Sequence, residues 1–216
     1  MKNFLLVAIT VILLIMAISS TTSSNIRNKN KLTGIDKTFI DDPIQIAVNS
    51  ESEIMNINGI DIEIKKRYSY EITGRVVKTY EYKEYYVGNE TYNTIASKDV
   101  GMVWGNLVKD ENVEKIEFSM PGSRSLRYSI TDGKWVNQMG GISNICSKIS
   151  NNHLITNDDE ILDAIAEIKE GDFIRISGYL INASGGNIIL NSSVSRDDTG
   201  NHACEVILVE DIKWLE

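Results

Sequence analysis

Both histidines and both cysteines of this 216-residue chain lie in two short stretches, Cys146 with His153 and His202 with Cys204. Two thiolates and two imidazoles make a tetrahedral zinc set, but these spacings match no standard zinc module, so no metal and no cofactor is assigned. An even cysteine count in an exported chain also allows a Cys146–Cys204 disulfide, provided the two Cα atoms come within about 7 Å. Two separate buried thiols fit the sequence equally well.

The second stretch belongs to a dense polar loop, SVSRDDTGNHACE, from 193 to 205. Asp197 and Asp198 there offer a cation or general-base site, Arg196 an anion clamp, and Glu205 a partner to either. The candidate ligand-contacting set is therefore Arg196, Asp197, Asp198, Thr199, His202 and Glu205, with His153 reaching in from elsewhere. The competing reading has Arg196 and the acids tying a hairpin loop together, with Asp-Thr-Gly-Asn as turn chemistry. No Gly-x-Ser-x-Gly elbow, phosphate-binding glycine loop, HExxH pair or EF-hand spacing occurs, so the common hydrolase signatures are absent.

Those side chains must be held by the elements on either side. Ile161, Leu162, Ile165 and Ile168 recur at helical spacing and predict a helix over 158–169, capped by Asn157 with Glu160 as its partner. Asp158 and Asp159 suit its positive end, and Gly171 stops it. The period then changes to two: Ile174, Ile176, Gly178 and Leu180 alternate with Phe173, Arg175, Ser177, Tyr179 and Ile181, which predicts a strand bent at its glycine. Ser184-Gly185-Gly186 turns into a strand over 187–194, and a further strand covers 203–209.

Upstream, Ile44, Ile46 and Val48 alternate, and Asn58-Gly59 turns a hairpin into Ile60, Ile62 and Ile64. Seven of the nine tyrosines fall between Tyr68 and Tyr92, either as a stacking platform for a sugar ring or base or as ordinary strand decoration. The hexapeptides ITGRVV (72–77) and ISGYLI (176–181) place a glycine at the same phase, as two bent strands of one barrel would. Short strands are expected within 99–107, 113–119 and 126–130. A helix between the third and fourth of five strands is the order of an OB-type barrel. The expected fold is therefore mainly β: an OB-like closed or partly open barrel with one α-helix, plus an N-terminal signal or anchor helix.

With 22 basic against 30 acidic residues the chain carries a net charge of −8, which argues against general nucleic-acid binding. Lys2, the apolar run from Phe4 to Ile18 and Ala17-Ile18-Ser19 read as an export signal over 1–20, or as a membrane anchor if uncleaved. No cysteine follows that run, which excludes a lipid-anchored lipoprotein. Residues 21–42 are polar and read as a flexible tether, leaving 43–216 as the β-rich domain. Two functions remain open: an extracytoplasmic OB-like binding module of unknown ligand, or a cell-surface hydrolase using the Arg196, Asp197, Asp198 and Glu205 loop. DVGMVWGNL (99–107), NNHLI (151–155), GDFIRISGYL (171–180) and SRDDTGNHACE (195–205) resemble the signature blocks of an uncharacterised family of exported or membrane-anchored prokaryotic proteins. The resemblance spans roughly Tyr68 to Val209 and implies a shared fold but no known activity. Arg196, Asp197, Thr199, Gly200, Cys204 and Glu205 are the positions that match its last block.

Overall fold

A computed structural model describes residues 25–82, 90–121, 124–195 and 204–216. In chain order its strands are β1 (Lys31–Leu32), β2 (Ile44–Ala47), β3 (Glu53–Ile57), β4 (Ile60–Glu81), β5 (Lys98–Val103), β6 (Ile116–Ser119), β7 (Arg127–Ile130), β8 (Ile149–Ile155), β9 (Phe173–Gly185), β10 (Ile188–Asn191) and β11 (Glu205–Leu215). The helices are α1 (25–29), α2 (Glu90–Ile95), α3 (Asp110–Val113), α4 (Gly133–Gln138), α5 (Ile142–Cys146) and α6 (Asp159–Glu167). The protein is thus mainly β, as its sequence implies, but it carries short helices beyond the one expected. Asp132, read as part of a turn, instead caps α4 by accepting from the Trp135 N–H at 3.0 Å.

Five strands hydrogen-bond in a closed cycle. β4 pairs with β5 and β5 with β8, both antiparallel; β8 pairs with β11 in parallel; β11 and β4 both pair antiparallel with β9. In chain order α6 falls between the third and fourth strands of that cycle. The two glycines at matching phase mark its tightest points. A Cβ on Gly178 would stand 2.0 Å from the Leu208 carbonyl oxygen, and one on Gly74 would stand 2.5 Å from that of Val103. The bulge between Val209 and Asp211 lies across from Gly178, so a missing side chain and an extra residue bend the same place.

Ile72, Val100, Leu154, Ile176 and Ile207 fill the cycle, and α6 adds Ala164 and Ile165 to the same cluster. A second cluster lies on the outward faces of β8 and β11, where Ile155, Val206 and Leu208 meet Ile62 and Ile64 of β4 and Ile95 of α2. The hairpin that supplies part of it has the turn its sequence calls for, with positive φ at Asn58 (50°) and Gly59 (85°).

Two further expectations are corrected. Asp158, not Asn157, caps α6, its carboxylate accepting from the Ile161 N–H at 3.1 Å. Residues 25–42 are not a tether: Ile40 is buried, β1 runs parallel to the end of β11, and Arg27 grips Asp172 through two bonds of 2.9 Å. Isolated apolar residues at 26, 32, 35 and 40 pack there without a regular period, so polarity masked them. The signal or anchor segment lies outside the described residues, and among the described residues no helix is long and apolar enough to cross a membrane.

Candidate active site

β5, β8 and β11 are neighbours, and their register lines up side chains on the outward face. Asp99 stands opposite His153, which stands opposite Val206; one step along, Gly101 stands opposite Asn151. Cys204, immediately before β11, comes beside Asn151, whose Nδ2 lies 3.4 Å from its Sγ. Three strands remote in sequence thereby bring an acid, an imidazole and a thiol together.

The Asp99 side chain is fully enclosed and holds the cluster's charge. One carboxylate oxygen lies 2.7 Å from His153 Nδ1 and accepts from Arg124 at 3.0 Å; the other accepts from the Tyr82 hydroxyl at 2.9 Å. The Arg124 guanidinium is flanked by aromatic rings, 3.5 Å from the Tyr82 centroid and 4.0 Å from that of Tyr92. It also donates to the Ala96 carbonyl and the Asn93 side-chain oxygen, both at 2.6 Å. Its backbone adopts φ of +56°, a conformation costly for a residue with a Cβ, and the Tyr82 hydroxyl accepts its N–H at 3.0 Å. Tyr92 meets the His153 ring edge-on at 5.7 Å.

Burial alone would lower the His153 pKa, but its hydrogen bonds to Asp99 and Cys204 and its electrostatic attraction to them outweigh this and raise it to about 9. The ring is thus held as an imidazolium at neutral pH. With Nδ1 taken by Asp99, Nε2 is the nitrogen left for the sulfur. Burial, reinforced by Asp99, also pushes the Tyr82 hydroxyl well above its usual range, so it serves Asp99 as a proton donor. Burial does the same to Tyr92, against the pull of Arg124.

A thiol, an imidazole and a carboxylate in this order form the nucleophile–base–orienter line of covalent catalysis. The line is extended: its imidazole nitrogens point to different neighbours, and Arg124 already compensates Asp99. Among the described residues no group of three or more His, Cys, Asp or Glu side chains is arranged to hold a metal.

Of the sequence candidates, the structure brings His153 and Cys204 together. Glu205 is buried beside Asn152 and alternates away from Cys204, so it does not join them. Arg196, Asp197, Asp198, Thr199 and His202 lie outside the described residues. The candidate disulfide is corrected: Cys146 and Cys204 are both free, Cys146 at the end of α5 bonding the Tyr128 hydroxyl and Cys204 bonding His153. Asp99, Arg124 and Asn151 escaped sequence reasoning. A single acid opening an otherwise apolar strand was a signal for Asp99; nothing marked Arg124. No family model, no curated protein and no solved structure matches the chain.

Proposed function

We propose that this chain is a thiol-dependent hydrolase acting outside the cytoplasm, with Cys204 as nucleophile, His153 as acid and base, and Asp99 as the group that orients His153. The observation that carries this reading is the line Asp99, His153, Cys204 across three adjacent strands, with Asn151 also donating to the sulfur. The sulfur attacks an acyl carbon, and His153 gives its proton to the departing alcohol, thiol or amine. His153, now neutral, takes a proton from water, which attacks the thioester and frees the acid and the sulfur. The scaffold reads as an OB-type barrel, supported by the strand cycle with its parallel β8–β11 pair and by the position of α6. Export rests on Lys2 and the apolar run that follows it.

A second reading, a non-catalytic binding module on the same scaffold, is favoured by one feature: three donors already occupy Asp99, as in a purely structural node. Chromogenic esters and thioesters separate the two. Hydrolysis that disappears in Cys204→Ala and in His153→Gln, each variant still unfolding cooperatively, is the expected result. Turnover that persists in Cys204→Ala, or a wild-type Cys204 that iodoacetamide modifies no faster than an ordinary free thiol, would remove the enzyme reading.

A further inference from the structure

We propose that Asn151 is the positioning residue that holds the Cys204 sulfur as an anion, an inference that rests on the triad reading above. Its side-chain nitrogen carries two hydrogens and accepts none. One bond runs to the Arg124 carbonyl oxygen at 3.2 Å and the other to Cys204 Sγ at 3.4 Å. The same carbonyl lies 3.9 Å from the sulfur. A protonated thiol can donate to that oxygen, whereas a thiolate is repelled by it, so the charged form needs a donor placed between them. Asn151 is that donor. The other groups facing the sulfur are His153 from β8, backed by Asp99 of β5, with Tyr92 of α2 and Arg124 close by.

The cost of this arrangement is visible. Asn151 is only 6 % exposed, and among the described residues its Oδ1 has no hydrogen-bond partner. An apolar side chain would leave no amide oxygen unpaired but would take the donor from the Arg124 carbonyl as well as from the sulfur, so the asparagine is kept for its nitrogen. What fixes the side chain is its nitrogen, and that nitrogen serves the sulfur and the strained Arg124 carbonyl. Gly101, opposite on β5, has no side chain of its own, and the side chains of Leu126 and Met120 close over it.

The test follows iodoacetamide modification of Cys204 in the full chain across pH, located by peptide mass so that Cys146 is read separately. Asn151→Leu keeps the volume and removes the donor. In a variant that unfolds cooperatively, the pH midpoint of modification should rise by about one unit and the rate at neutral pH should fall about tenfold. Should Asn151→Leu fail to fold, Asn151→Ser is measured, and its shorter hydroxyl should give a smaller shift of the same sign. A wild-type midpoint well below that of an ordinary thiol, unmoved in the folded variant, would overturn the role of Asn151 while leaving the triad standing. An ordinary wild-type midpoint would overturn the triad, and this inference with it.

Discussion

At the scale of single residues, the chemistry depends on buried charges that compensate one another. Asp99 has a cationic guanidinium on one side and a protonated imidazole on the other, so removing it strands both. Asp99→Ala should lower unfolding stability by about 3–5 kcal/mol in urea titrations, because breaking a buried pair leaves an unpaired charge. A loss below about 1 kcal/mol would mean that water reaches the cluster. The raised His153 pKa makes a second prediction, whose sign is fixed. The folded state binds this proton more tightly than the unfolded chain, whose value is near 6.5. The contribution is therefore complete below about 6.5 and fades as pH rises through about 9. Stability should decline across that window in the wild type, and His153→Gln should flatten the decline. A wild-type curve that rises from neutral to alkaline pH would show that His153 is neutral in the folded protein.

At the scale of elements, the bends of the strand cycle rest on two places where only hydrogen fits. Gly178→Ala would drive a methyl group into the Leu208 backbone, where no flexible side-chain end can yield. The expected cost is about 2–3 kcal/mol by denaturant midpoint, larger than that of Gly74→Ala, whose nearest oxygen stands farther off. Equal, small losses would indicate that the cycle flexes at these points. The same elements explain what the sequence could convey. α6 and β9 were legible because Ile161, Ile165, Ile174 and Ile176 keep their periods, and Asn58-Gly59 announced its hairpin. β8 was not, because Asn151, Asn152 and His153 break any apolar alternation while remaining buried. That strand is buried on both faces, one toward the cycle and one toward the site, and only its neighbours reveal which groups its polar side chains bond. Half of the site was visible as reactive residue types, His153 and Cys204. The rest came from strand register, which a linear pattern does not contain, and from Arg124, which is set between two of the clustered tyrosines.

At the scale of the whole molecule, the boundary at 43 drawn from composition cuts through the folded body. Asp172 is the reason in miniature. Its carboxylate accepts from both terminal nitrogens of Arg27, from the Lys169 N–H at 2.8 Å and from the Trp214 indole at 3.1 Å. It thereby joins α1, the end of α6, the start of β9 and the end of β11. Farther on, Ile40 exchanges two backbone bonds with Gly105, and Asp42 accepts the Trp104 indole N–H at 2.9 Å. A chain begun at residue 43 loses these anchors and uncovers apolar surface around Trp214 and Trp104. Ile40 alone is worth about 2 kcal/mol of burial, and the partly buried Ile26, Leu32 and Ile35 add to it. Total loss should reach at least about 4 kcal/mol, a large share of what holds most single domains together. A chain begun at residue 25 should unfold cooperatively near the full-length midpoint, whereas one begun at 43 should melt far lower or aggregate. Coincident melting curves for the two would mean that residues 25–42 lie on the surface without supporting it. The strand cycle would then stand on its own core alone.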